Sequence, residues 1–150
     1  MSYGVLLWGN AADSESIFIL QKRAVRAIYN LRPRDSLKEK FKDINIMTFY
    51  SFYIYENLMY AYKNLDAFKK GCDFHGYKTR HKNNLVAPTC RLQRTNTSFV
   101  GNCIRFFNKL PEDIRLLPFK QFKNVVKKTL TKKAYYKTDD YLKDKQAWSS

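Results

Sequence analysis

Two groups of residues have the types that could perform chemistry. Asp139 and Asp140 form an adjacent acidic pair shortly after Tyr136, and paired carboxylates converging on divalent metal ions are what polymerases and nucleases use to clamp attacking and leaving oxygens. Here Lys137 and Thr138 both intervene, one residue more than a Tyr-x-Asp-Asp turn allows. No strand sequence flanks the pair and no third carboxylate accompanies it, whereas two acids at a helix start are accounted for by the helix dipole. Cys72, His75, His81 and Cys90 supply zinc-ligand types in the spacing C-x2-H-x5-H-x8-C, which fits no zinc-finger or knuckle pattern. Glycine-rich phosphate loops, Gly-x-Ser-x-Gly elbows and HExxH pairs are absent from the sequence. The expectation is therefore a chain with no catalytic residues, no metal, no cofactor and no small-molecule substrate.

What remains is charge. The 150 residues carry 28 Lys plus Arg against 13 Asp plus Glu, a formal net charge of +15, and such an excess implies a polyanionic partner. Its placement is uneven. Residues 74–138 hold 15 basic and two acidic side chains, so the second half is the half that faces the partner. Lysine and arginine neutralise phosphates, while Tyr, Phe or His can stack on unpaired bases. His75, Tyr77, Lys78, Thr79 and Arg80 bring all these types into one loop, and Arg91 and Arg94 follow it. Lys120, Lys123 and Lys127 share one stripe of a helix at 100° per residue. These ten residues are the candidate contacts to RNA or DNA.

The elements that must position them are helical. With 45% hydrophobic and 16% aromatic residues, the chain can build one core or two small ones. Residues 3–9 read as an apolar element without its beginning, expected to be truncated upstream. Asp13 and Ser14 are candidate N-caps for a helix with Ile17, Leu20, Ala24, Ala27, Ile28 and Leu31 at core spacing and Lys22 and Arg26 outside. Pro33 stops it, and Ser36 with Glu39 forms a capping-box pattern for a short helix bearing Leu37, Lys40 and Phe41. Thr48 then caps a helix to about Lys63 that is apolar on several faces through Phe49, Phe52, Ile54, Tyr55, Leu58, Met59 and Tyr62, as a central helix must be.

From Asp66 onward Gly71, Gly76, Asn83, Asn84 and Pro88 break the periodicity. Residues 1–64 read as a helical subdomain, 65–84 as a linker loop and 85–150 as a basic helical subdomain. In the last, 85–92 is a candidate short strand. Ser98 caps a helix with Val100, Ile104, Phe106 and Phe107 that Pro111 ends, and a turn holds Ile114 and Leu117. Pro118 opens a long helix with Phe119, Phe122, Val126 and Leu130 on its core side, and a last turn follows Thr138. The fold class is thus mostly α: a small helical bundle, then a basic helical segment with an irregular loop and room for one short strand pair. The aromatic run 44–62 is interrupted by Asn45, Glu56 and Asn57, which argues against a membrane span. Three widely spaced cysteines without a secretory signal point to reduced thiols in the nucleus or cytoplasm rather than to secretion.

Several stretches in order resemble one family. Trp8-Gly9, then Leu20-Gln21-Lys22-Arg23-Ala24-Val25-Arg26, His75-Gly76-Tyr77-Lys78-Thr79-Arg80, Phe107-Asn108-Lys109-Leu110-Pro111, Phe119-Lys120-Gln121-Phe122-Lys123 and Ala134-Tyr135-Tyr136 are similar to the signatures at the C-terminal end of non-LTR (LINE-type) retrotransposon reverse transcriptases, jockey-like elements among them. Phe107 stands where that family commonly has an indole or phenol. The resemblance implies the end of the polymerase thumb and the region after it, gripping template RNA or primer-template, with RNA-directed DNA synthesis residing upstream. The alternative is a protein-interaction or structural domain that packs on the absent polymerase core, self-associating through Trp8, Phe49 or Phe52.

Overall fold

The computed structural model describes residues 4–11, 13–73, 83–87 and 98–148. Among them the chain forms eight α-helices: α1 (Val5–Trp8), α2 (Ser14–Ile28), α3 (Leu37–Asp43), α4 (Phe49–Lys63), α5 (Phe99–Asn108), α6 (Glu112–Arg115), α7 (Phe119–Lys133) and α8 (Thr138–Lys143). The fold is mostly helical, as the periodicity requires. Within the 65–84 stretch the described part holds two 3-10 turns, Leu65–Ala67 and Gly71–Asp73, and Lys70 makes an isolated antiparallel bridge with Leu85. Residues 88–92 of the candidate strand lie outside the described residues.

α4 is the axis of the molecule. Tyr53, Ile54, Leu58 and Ala61 are wholly buried, and α1, α2, α5, α7 and α8 all pack against it. One apolar cluster runs from Val5 through α4 and α5 to Tyr141 and Ala147, so the segments on both sides of 65–84 contribute to it. A smaller cluster of Val25, Leu37, Phe41 and Ala134 ties the ends of α2 and α7 to α3.

The start of α4 is fixed from three directions. The Thr48 hydroxyl accepts from the Ser51 N–H at 3.2 Å, the expected N-cap. Gln21 of α2 accepts from the Phe49 N–H at 2.7 Å and donates to the Met47 carbonyl at 3.0 Å, so one side-chain amide satisfies the backbone on both sides of the cap. The third clamp comes from Tyr135, whose carbonyl accepts from the Thr48 hydroxyl while its N–H donates to the Ser51 hydroxyl at 3.0 Å. Gly9 is needed here too. A Cβ at that position would collide with the Tyr53 ring and the Val5 carbonyl.

α2 departs from the periodic reading. Its buried residues are Ser14, Phe18 and Val25, whereas Leu20 is 60% and Ile28 is 72% exposed, and Ala24 and Ala27 also face solvent. Lys22 and Arg26, expected outside, are half-buried, and the Lys22 ammonium sits over the Phe18 ring at 4.7 Å. The aromatic Phe18 decides the matter by packing edge-on to Tyr50 and Tyr136, at 5.3 and 4.9 Å between ring centroids. Burying one large ring outweighs burying two alanines. The capping-box pattern differs as well: Ser36 makes no side-chain cap bond, and Glu39 instead pairs with Lys42 at 2.8 Å.

Candidate nucleic-acid interface

α7 presents the basic surface. Phe122, Val126 and Leu130 are completely buried, and the Phe122 ring stacks on Tyr62 of α4 with centroids 4.4 Å apart. The Tyr62 hydroxyl donates to the Leu117 carbonyl at 2.6 Å, holding the turn that feeds α7. Phe119, expected on the core side, is 38% exposed and covers the flank of Tyr62 beneath the Lys63 ammonium. With the apolar row held inward, Lys120, Lys123 and Lys127 are carried to the exposed face.

None of these three lysines makes an ion pair among the described residues, and α7 contains no acid. Glu56, on the adjoining α4, feels the charge. Burial pushes its carboxyl above the usual range, while Lys63 and Lys123 pull it back. The lysine stripe is thus a cationic edge without an ion pair among the described residues, able to bind phosphate oxygens and release counterions.

Other basic residues of the second half serve the fold. Arg115, half-buried, donates Nε to the Leu110 carbonyl at 2.8 Å, Nη1 to Asn84 Oδ1 at 2.9 Å and Nη2 to the Asn108 carbonyl at 2.6 Å, and its guanidinium lies 5.6 Å from the Phe107 ring centroid. Lys109 donates to the Leu142 carbonyl at 2.7 Å, and burial lowers its ammonium below the usual range against the pull of Asp144. Lys133 pairs with Asp144 at 3.3 Å and donates to the Gln146 carbonyl at 3.0 Å. Net charge therefore overstates the free cationic surface. The Phe107-Asn108-Lys109-Leu110-Pro111 stretch is architectural throughout: Phe107 and Leu110 are buried, Asn108 holds Leu85 and Pro111 precedes α6.

The remaining candidate contacts, His75, Tyr77, Lys78, Thr79, Arg80, Arg91 and Arg94, lie outside the described residues, as do the candidate zinc ligands His75, His81 and Cys90. The fourth, Cys72, is exposed. Asp139 and Asp140 are exposed in the first turn of α8. Among the described residues no three His, Cys, Asp or Glu side chains are grouped to hold a metal ion, and no helix is long and apolar enough to cross a membrane. Sequence reasoning missed Lys128 and Lys132, both exposed on another flank of α7; their four-residue spacing was the available signal. Comparison of the chain with protein-family models, with curated proteins and with solved structures finds no match.

Proposed function

We propose that this chain is a non-catalytic nucleic-acid-binding module, the role that the resemblance to the C-terminal end of LINE-type reverse transcriptases implies. On this reading it grips template RNA or primer-template while polymerisation belongs to a separate upstream core. The observation that carries the reading is the exposed row Lys120, Lys123 and Lys127, without an ion pair among the described residues, beside a row of the same helix, Phe122, Val126 and Leu130, that is completely buried. A helix held that way offers charges at fixed spacing, which suits a regular phosphate backbone. The ordinary alternative for such a row is a solvated surface with no partner.

The test is fluorescence anisotropy of labelled RNA and DNA against salt concentration. The triple variant Lys120→Ala/Lys123→Ala/Lys127→Ala should bind both more weakly, with a salt slope shallower by roughly 0.7 to 0.9 log units per lost contact. Unchanged affinity and slope would remove the stripe from the interface. Template-dependent synthesis by the purified chain with Mg2+ or Mn2+, abolished by Asp139→Ala, would overturn the non-catalytic part.

A further inference from the structure

Beside the lysine stripe the molecule has a second cationic feature of different character. Between α7 and the turn after α8 lies a cleft of about 390 Å³, lined by Ile114, Val125, Ala147 and Trp148 and by the polar side chains of Lys128, Thr129, Lys132 and Lys133. Both lysines are exposed, and neither forms an ion pair among the described residues.

The walls are held in place. Trp148 Nε1 donates to the Tyr141 hydroxyl at 3.2 Å, and the two rings meet edge to face, 6.2 Å apart at 88°. Tyr141 is itself completely buried and donates to the Phe106 carbonyl at 3.2 Å. Lys133, bonded to Asp144 and the Gln146 carbonyl, fixes the turn that carries Ala147 and Trp148. The indole is half-buried, anchored through its N–H, and lines the cleft together with Lys128 and Lys132.

We propose that this cleft takes an unpaired nucleotide of a single-stranded nucleic acid, the base stacking on Trp148 and the flanking phosphates meeting Lys128 and Lys132. The inference rests on the nucleic-acid reading above and deepens it. A cleft that sets an anchored indole and aliphatic side chains among lysines matches a flat base joined to phosphates, whereas a base inside a duplex is already stacked and presents only its edge. The outer stripe of Lys120, Lys123 and Lys127 adjoins Phe119, but that ring is taken up by Tyr62 and the Lys63 ammonium, so the stripe offers phosphate contacts alone and makes no distinction between single and double strands.

The experiment compares a short single-stranded oligonucleotide with a duplex of the same length. Trp148→Ala should weaken the single strand roughly five- to a hundredfold, the range for loss of one base stacked on an aromatic ring, while leaving duplex binding and both salt slopes unchanged. Lys128→Ala/Lys132→Ala should make the single-strand slope shallower by about 0.7 log units per lost contact. Because Trp148→Ala could disturb Tyr141, a second measurement uses Trp8→Phe, which leaves Trp148 the sole indole. Its emission should be quenched by the single strand and not by the duplex. Equal loss of both ligands in Trp148→Ala, or an indole silent to single strands, would overturn the cleft assignment while the stripe reading survives. Failure of the wild-type chain to bind either nucleic acid would end both. An acidic peptide that displaces nothing but itself quenches Trp148 would reassign the cleft to a protein partner.

Discussion

Asn108 holds both backbone polar groups of Leu85: its side-chain carbonyl accepts from the Leu85 N–H at 2.8 Å and its amide nitrogen donates to the Leu85 carbonyl at 2.8 Å. A single side chain thus acts as the neighbouring strand that Leu85 lacks on that side. Leu85 is buried and its other flank bridges to Lys70, so the stretch that re-enters the core after the 65–84 segment is pinned from α5. Arg115 reinforces the joint by bonding Asn84 and the Asn108 carbonyl together.

Asn108→Ala should therefore cost roughly 2 kcal/mol or more, because two buried backbone groups lose their partners at once. Denaturant unfolding measures it. Asn108→Asp keeps the acceptor but turns the donor into a second acceptor facing a carbonyl, and should be no better than Ala. A loss below about 0.5 kcal/mol for both variants would show that Leu85 finds water instead.

Much of the helical frame was legible because its signals are local. Thr48 and Ser98 cap helices at the expected residues, and Phe122, Val126 and Leu130 face inward at the expected spacing. The inner face of α2 was legible only in part: Ile17 and Leu31 do pack against the buried clusters, but Leu20, Ala24, Ala27 and Ile28 do not. Its sequence offers two apolar stripes, and only the tertiary position of Tyr50 and Tyr136, which receive Phe18, selects between them. The cationic site divides in the same way. That lysines lie outside is a property of the helix, but that Arg115, Lys109 and Lys133 are committed to carbonyls and Asp144 depends on long-range packing that periodicity does not contain.

The two described thiols should react very differently. Cys103 is completely buried, donates toward Asn57 Oδ1 at 3.2 Å, and burial pushes its thiol up to about 12. Cys72 is exposed. Since the thiolate is the nucleophile, alkylation of the native chain at neutral pH should label Cys72 within the first minutes and leave Cys103 unmodified until the chain unfolds, as peptide mass analysis would read. Early labelling of Cys103 would mean that α4 and α5 separate in the native state.

Asp144 should make the chain acid-sensitive. Burial raises its carboxyl, but bonds from the Tyr135 hydroxyl at 2.8 Å, the Gln146 N–H at 2.9 Å and Lys133 outweigh it and hold the folded carboxyl below its ordinary 3.8. A depressed folded value contributes stability that is present above 3.8 and is lost as pH falls through the folded value. Asp144→Asn should accordingly be less stable than the wild type near neutrality, with the gap closing below about pH 3.8. A gap that persists unchanged into acid would assign the role of Asp144 to shape rather than charge.

The sharpest separation of folding from binding lies within α7. Phe122 is completely buried against Tyr62, so Phe122→Ala should cost roughly 3 to 5 kcal/mol, the transfer of the ring plus the cavity it leaves. Lys120, Lys123 and Lys127, two turns of the same helix, project into solvent and their replacement by Ala should change stability by about 0.5 kcal/mol or less each. Thermal melts and salt-dependent nucleic-acid binding on the same variants then give a crossed pattern. The core variant, assayed well below its melting point, should lower Tm and keep the salt slope, because the lysines still sit on the helix. The lysine variants should keep Tm and flatten the slope. If the lysine variants melted early instead, the row would be part of the fold, through the Lys123 field on Glu56, and the interface would have to lie elsewhere on the chain.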